Sequence, residues 1–418
     1  MLPRVAVGRH CCAQSTDLAN YRPLVGDDMI DEIIALAGQM NGLRICQVNA
    51  TAAGGGVAEL LARMIPIYRA LDINADWRLI FGDQEFFTVT KGLHNGLQGG
   101  DFRITESVAD EYRLHNRQAL DALDDSYDVY IVHDPQPAAI CQFATQNSAK
   151  WIWRCHIDSS QPNAEVWQFL RPYVEAYDAV VFTLPQFCPP DLNREGVVFI
   201  PPAIDPLSTK NMDLPQDLCR RVIADAGVNL REPILLQVSR FDPWKDPLGV
   251  IEAYNVVKQK RPGIQLVLIG AMAGDDPEGW QILETINAQA LIDPDLYVFT
   301  NLMGVGNMEV NAFQRGADLV IQKSLREGFG LVVSEALWKE KPIVAGAAGG
   351  IPMQFPAGYE RFLVHDVEQC AAQLLFLLDH PESAAQLGRA GREKVRSEFL
   401  LPRLIRDELR LIKEVTAH

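Results

Sequence analysis

The sequence predicts an α/β protein of two doubly wound domains. Three observations carry that prediction: β-rich runs alternate with helical patterns almost from end to end, one break rich in Pro, Asp and Ser interrupts them, and the chain has 418 residues. Strand–helix–strand repetition needs crossover connections, hence mostly parallel sheets with helices on both faces. A chain of this length exceeds one ordinary core, so two domains are expected.

In chain order, LRICQVNA (43–50) reads as a buried strand that ends in a Gly-rich turn. Val57, Leu60, Leu61, Met64, Ile65, Tyr68 and Leu71 then recur at helical spacing and form one apolar face. Further strands follow at 75–82, 127–134, 150–158, 179–185 and 197–205, with helical stretches between most of them. The alternation breaks at IDPLSTKNMDLPQD (204–217), which reads as a linker. A second series begins beyond it, with strands at 233–241, 264–272, 296–302, 318–325 and 341–347. The expected division is an N-terminal domain at 1–210 and a C-terminal domain at 211–399. A last helical stretch, from about 400 to 418, lies beyond the second series and is left free to pack on either domain, including back on the first. Ligands are expected at the carboxyl ends of the strands, in the cleft the two domains face.

Composition excludes several classes. Apolar residues make up 48% and charged residues 22%, as in ordinary globular proteins. Lys plus Arg is 38 and Asp plus Glu is 54, a formal charge of −16. So acidic a surface repels phosphate backbones and anionic lipid, so neither nucleic acid nor membrane is an expected partner. No apolar run approaches the roughly 18 residues of a membrane span. Arg4, Arg9 and His10 interrupt the N-terminus, which does not read as a secretory signal. The eight cysteines are scattered without a CxxC pair, so neither a disulfide framework nor a structural metal is expected, and the cytoplasm is the expected compartment.

Three segments offer chemistry. Gly54, Gly55 and Gly56 stand between the first strand and its helix, where a backbone can approach a ligand and a helix N-terminus can meet an anion. The pattern is not GxGxxG, GxxxxGK[ST] is absent, and a plain tight turn is the bland alternative. Arg240 and Lys245, in QVSRFDPWKDP, follow the first strand of the second domain. Such a pair suits a diphosphate leaving group, Arg as a fork and Lys as a point charge, although surface cations are more often merely solvated. Arg326-Glu327-Gly328-Phe329-Gly330-Leu331 follows an apolar strand and opens a helix that carries Glu335. Its glycines would bring N–H groups to a ligand, while either carboxylate alone is more often a solvated side chain.

In register on one architecture, the Gly-rich turn, R-x4-K and E-x7-E resemble the retaining GT-B glycosyltransferases, the large family that includes sucrose synthases and short-type glycogen synthases. The fold implied is two Rossmann-like domains facing a central cleft. The chain is more closely similar to the trehalose glycosyltransferring synthases. VNATAAGGGVAELL, EFFTVTKGLHNGLQG, VHDPQPAAI, WIWRCHID, QVSRFDPWKDP, DDPEGW, NLMGVGNMEVNAFQR and REGFGLVVSEALWK carry that similarity over roughly residues 20 to 415. The resemblance implies transfer of glucose from a nucleoside-diphosphate glucose to free glucose, giving the α,α-1,1-linked disaccharide.

By the same resemblance, Arg240 and Lys245 hold the donor diphosphate with the backbone of Gly55 and Gly56, and Glu335 accepts the ribose hydroxyls. Glu327 lies against the transferred glucose, with Gly328, Phe329, Gly330 and Leu331 at its hydroxyls. His156, Asp158, Asp134 and Gln136 line the acceptor side, although Asp134-Pro135 could simply make a turn and His156 could be a satisfied core histidine. The family pattern has a glycine where Arg361 stands, after Gly349-Gly350, so this turn is expected to differ because Arg disfavours positive φ. The implied route is front-face retention, in which the leaving diphosphate helps deprotonate the acceptor; a covalent route through Glu327 is weaker. No metal site is expected, magnesium accompanying only the nucleotide, and the family suggests a homodimer. The rivals are a trehalose phosphorylase on the same scaffold, the same transfer to another small acceptor, and a non-catalytic nucleotide-sugar sensor.

Overall fold

Two six-stranded sheets, parallel throughout, organise the chain. The computed structural model describes residues 1–7, 17–52, 55–123, 127–144, 148–192, 194–272 and 277–417. It divides into two units, Met1–Pro202 with Leu401–His418, and Ala203–Leu400.

The first unit contains β1 (Arg44–Asn49), β2 (Asn74–Leu79), β3 (Val129–His133), β4 (Lys150–Arg154), β5 (Ala179–Phe182) and β6 (Val197–Phe199). They are ordered β2-β1-β3-β4-β5-β6. Helices on both sides bury both faces of the inner strands, so β3 reads VYIVH with every residue buried. Across β3 and β4, Tyr130 stacks on Trp151 with centroids 4.2 Å apart. The apolar face anticipated after β1 is the buried face of the helix Gly56–Ala70, where Leu61, Met64, Ile65 and Tyr68 are inaccessible.

The last helix, Leu401–Thr416, belongs to this first unit. Leu404, Ile405, Leu409 and Ile412 are buried on one face. Arg403 donates to the carbonyls of Pro201 and Pro202 (both 2.9 Å), and Arg410 donates to Glu32 (2.7 Å). These contacts anchor a helix whose side of attachment the sequence left open.

The second unit contains β7 (Ile234–Val238), β8 (Gln265–Gly270), β9 (Leu296–Thr300), β10 (Leu319–Gln322), β11 (Ile343–Gly346) and β12 (Leu363–Val364), ordered β12-β11-β10-β7-β8-β9. The division falls after Pro202 rather than at 210. Residues 204–217 pack on the second unit instead of bridging freely. Asn211 is buried and accepts from Lys339 Nζ (2.8 Å), and Arg315 donates to the carbonyl of Met212 (3.0 Å).

Arg361 sits in a single-turn 3-10 helix, Glu360–Phe362, with its guanidinium carbon 3.9 Å from the Phe376 ring centroid. The positive φ of this segment falls on Gly358 (+89°), so Arg361 is not asked to adopt one. Among the described residues Cys46, Cys141, Cys155, Cys188, Cys219 and Cys370 are free, and no helix is long and apolar enough to cross a membrane.

Each sheet has one switch point, where neighbouring strands lead off in opposite directions: β1 against β3 in the first unit, β7 against β10 in the second. The carboxyl ends of those strands are where doubly wound sheets bind ligands.

Candidate active site

In the second unit the loops after β7 and β10 meet at the switch point. Gln237, at 1% exposure inside β7, donates to the Lys245 carbonyl (2.9 Å), and Asp242 Oδ1 accepts from Lys245 N (3.1 Å). These bonds turn the RFDPWK loop and aim Lys245 at the neighbouring loop, where Nζ lies 2.7 Å from Glu327 Oε2. Ser324 Oγ donates to the same oxygen (3.2 Å) and accepts from Gln322 (3.0 Å). The loops are also joined through backbone, Leu325 N to Trp244 O (2.8 Å), and by Arg326 stacked 4.7 Å over the Trp244 ring. Arg240, with a side chain 65% exposed, is tethered to Asp242 Oδ2 (3.0 Å) and reaches solvent.

Gly328, Phe329 and Gly330 lead into the helix Leu331–Trp338, with Gly330 as its cap at φ +83°. Gln354 holds this loop by donating to the Phe329 carbonyl, and its own oxygen accepts from Ser334 Oγ (2.6 Å). Gly349 and Gly350 pass directly beneath: a Cβ on Gly349 would stand 1.5 Å from the Glu327 carbonyl oxygen, and Gly350 N donates to Gly328 O (3.0 Å). Only residues without a side chain fit there.

Glu335 is placed differently from the other three charged candidates. It is 2% exposed, Oε1 pairs with Lys210 Nζ at 2.9 Å, and Oε2 accepts from Gln314 (3.3 Å). Burial alone would raise its pKa, but Lys210 and Lys339 outweigh it and hold the carboxyl below its usual range. Burial brings Lys339 down to about 7, with Glu335 opposing. The structure thus brings Lys245 to Glu327, sets Arg240 on the same loop, and gives Glu335 partners of its own.

In the first unit the loops after β1, β3 and β4 supply the other candidates. Gly55 has φ +154° with nothing within 4 Å of a would-be Cβ, so the requirement for glycine there is conformational. Gly56 begins the following helix, and Gly54 lies outside the described residues. Asp134 takes φ +63°, and its Oδ1 accepts from His156 N (2.8 Å), joining the ends of β3 and β4. Burial raises the Asp134 carboxyl to about 7, against the opposing His156 N–H and Arg154. Gln136 is half-buried, with its carbonyl accepting from Asn116 (3.1 Å). Asp158 accepts from Ser160 N (3.0 Å) and Ser160 Oγ (2.6 Å), closing a local turn.

His156 is half-buried and is not isolated. Its Nε2 lies 2.9 Å from His133 Nδ1, and His133 Nε2 lies 2.6 Å from Gln47 Oε1. Gln47 Nε2 donates to Glu408 Oε1 (2.7 Å), which also accepts from Tyr68 (2.7 Å), while Glu408 Oε2 accepts from Arg154 (2.8 Å). Burial, aided by Arg154, depresses His133 to about 3 and His156 well below the usual imidazole value, so both rings are neutral. Sequence reasoning missed Gln47, His133, Arg154 and Glu408. His133 had a signal, standing beside Asp134 at a strand end, whereas Glu408 is 361 residues from Gln47 and had none.

Asp83, Glu111 and His115 bring one potential metal-ligand atom each within 4.8 Å of one another. All three already have partners in the fold: Asp83 caps the helix Gln84–Leu97 through Phe86 N (2.9 Å), and Glu111 Oε1 lies 3.0 Å from His115 Nδ1.

Comparison with known proteins follows the two units. The family described as trehalose synthase, N-terminal domain, matches residues 47–189, and glycosyl transferases group 1 matches residues 221–394. The trehalose synthase of Rubrobacter xylanophilus is 48% identical over 421 residues, covering 99% of each chain. A trehalose phosphorylase from Pleurotus pulmonarius is more distant, 28% identical over 83% of this chain and 54% of its own. Among solved structures, sucrose-phosphate synthase from Thermosynechococcus elongatus superposes with a TM-score of 0.71 at 17% identity, over 90% of this chain and 99% of that one.

Proposed function

The chain belongs to the trehalose synthase family, glycosyltransferases of the two-domain GT-B fold, and from that premise we propose that it transfers glucose from a nucleoside-diphosphate glucose to free glucose, forming trehalose with retention. The observation that carries this reading is the end-to-end 48% identity with a trehalose synthase. The distant and partial match to a phosphorylase gives that alternative no comparable support.

In this reading Arg240 and Lys245 neutralise the charge that builds on the departing diphosphate, which is the largest lever an enzyme has on such a step. Lys245 exchanges Glu327 for the diphosphate when donor binds, and Glu327 turns to the transferred glucose. Gly55 and Gly56 present backbone to the phosphates, and Gly328, Phe329, Gly330 and Leu331 present theirs to the sugar. Glu335 takes the ribose with the acceptor capacity that Lys210 and Gln314 leave on its oxygens. Asp134, Gln136, His156 and Asp158 orient the acceptor. The anomeric centre passes through an oxocarbenium-like state, and the leaving phosphate oxygen collects the acceptor proton on the same face. With a cationic pair for the leaving group, magnesium is assigned only to the nucleotide. Cytoplasmic placement fits the acidic composition and the free cysteines, and the homodimer rests on the family resemblance.

The test incubates the protein with a panel of nucleoside-diphosphate glucoses and 13C-glucose and reads the product by NMR. Two α-anomeric protons on a labelled non-reducing disaccharide, formed one-for-one with nucleoside diphosphate, support the reading. A β-linked product, transfer only to another acceptor, or glucose release from trehalose that depends on inorganic phosphate would overturn it. Ligand binding without any product would identify a sensor.

A further inference from the structure

We infer that Glu408, on the C-terminal helix, is a positioning residue that fixes the imidazole tautomer of His156, so that this ring presents a bare Nδ1 acceptor to a sugar hydroxyl. The inference deepens the reading of His156 as a sugar-site residue and rests on it.

Four hydrogen bonds run from Arg154 through Glu408, Gln47 and His133 to His156, each fixing the direction of the next. Glu408 pairs with Arg154, and each side chain is 3% exposed. A carboxylate in such a pair only accepts. The Gln47 atom 2.7 Å from Glu408 Oε1 is therefore the amide nitrogen, which turns the Gln47 oxygen to the other side. That oxygen lies 2.6 Å from His133 Nε2 and has no hydrogen to give, so His133 carries its proton on Nε2. A neutral imidazole has one N–H, which leaves His133 Nδ1 as an acceptor. His156 Nε2, 2.9 Å from it, must then supply the proton. His156 is left with an unprotonated Nδ1, and among the described residues no other hydrogen bond engages this ring. The relay is buried from Gln47 through His133, so water does not offer the amide or the first ring an alternative partner. The orientation of one ring at the end of β4 is thus set by a carboxylate that enters from the last helix of the chain.

The same logic makes a distinctive variant. In Glu408→Gln, Arg154 still requires an oxygen at the Oε2 position, which places the new amide nitrogen opposite Gln47. Gln47 must then turn over, His133 must carry its proton on Nδ1, and His156 must accept at Nε2 and hold its own proton on Nδ1. The acceptor offered to the sugar becomes a donor.

The test labels the histidines of the full chain with 15N and reads ring-nitrogen shifts in the ligand-free protein, with His156→Asn providing the assignment. The expected result is Nε2–H on both rings in the wild type and Nδ1–H on both in Glu408→Gln. Turnover in that variant should fall about tenfold or more at an unchanged donor KM, the size expected when one directed hydrogen bond is reversed. A wild-type His156 protonated on Nδ1 overturns the inference, and so does an unchanged spectrum in Glu408→Gln. Should Glu408→Gln not fold, Gln47→Met keeps the buried volume and removes the amide. Its two rings should interconvert between tautomers, and retention of one sharp tautomer there would overturn the relay. Inverted tautomers with undiminished turnover would leave the relay standing and remove His156 from the sugar site, which separates the two readings.

Discussion

Lys245 Nζ lies 2.7 Å from Glu327 Oε2, and this ion pair locks together the loops that leave β7 and β10 at the second unit's switch point. The side chains are 18% and 10% exposed, so both charges are partly desolvated and attract more strongly than a surface pair. The ammonium faces a carboxylate in the free protein, and a diphosphate would offer it more charge. The pair therefore holds the Lys245 ammonium in one position in the free protein.

Lys245→Ala should lower kcat by about 10²- to 10³-fold, the loss typical of removing one preorganised group at a developing charge. Arg240→Ala should also reduce turnover strongly at a modest cost in stability, because its own side chain is 65% exposed while the buried Asp242 oxygen it pairs with loses that partner. Steady-state kinetics and thermal denaturation of the two variants check this, and near-normal turnover in both would remove them from the leaving-group role.

Gly349→Ala should destabilise the second unit by about 2 kcal/mol or more, because a positive φ and a steric clash act together there. Its φ is +51°, and the new methyl would fall 1.5 Å from the carbonyl oxygen of Glu327. Relief requires displacing the Glu327 loop, so turnover should fall with stability. Gly358→Ala is the control: φ is +89° but nothing lies within 4 Å, so only backbone strain of about 1 kcal/mol is expected, with activity kept. Urea titration and kcat measured on both variants separate clash from strain.

Arg154→Met should cost about 3–5 kcal/mol, the usual penalty for leaving one half of a buried ion pair alone. It strands Glu408 among Gln47 and Tyr68, two neutral donors, with both original charges 3% exposed. Adding Glu408→Gln should recover part of that loss, since an amide is far less costly to bury than a carboxylate. Chemical denaturation of the single and double variants reads the difference.

How much of this was legible follows from the range of each interaction. The strands with continuous apolar runs, such as VYIVH and QLVLIG, announced themselves because both faces are buried. Arg240, Lys245 and Glu327 stood out because each follows a strand at a loop, where local spacing carries the signal. The two-residue β12 is too short for any periodicity to register. The division near 202 was misplaced because Pro, Asp and Ser in 204–217 look like a linker, whereas Asn211 is buried under Lys339 in a contact made across 128 positions. Lys210 and Glu408 were invisible for the same reason: a charge that pairs across 125 or more residues leaves no local trace.

Asp134 gives the first unit a titration near neutrality. Its carboxyl is raised to about 7 by burial, against 3.8 for the ordinary group, so between those values the folded chain holds a proton that the unfolded chain has released. The stabilising contribution is full below about pH 3.8 and is lost as pH rises through about 7. Asp134→Asn is the informative variant, because Asn tolerates the φ of +63° and still accepts from His156 N. Stability of the wild type relative to Asp134→Asn should fall as pH rises from about 3.8 to about 7 and level off above. If the ionised carboxylate orients the acceptor, kcat/KM for glucose should rise with pH through an inflection near 7 that is absent from the variant. Parallel stability and rate profiles of the two proteins would remove Asp134 from the titration and leave it only the structural bond to His156.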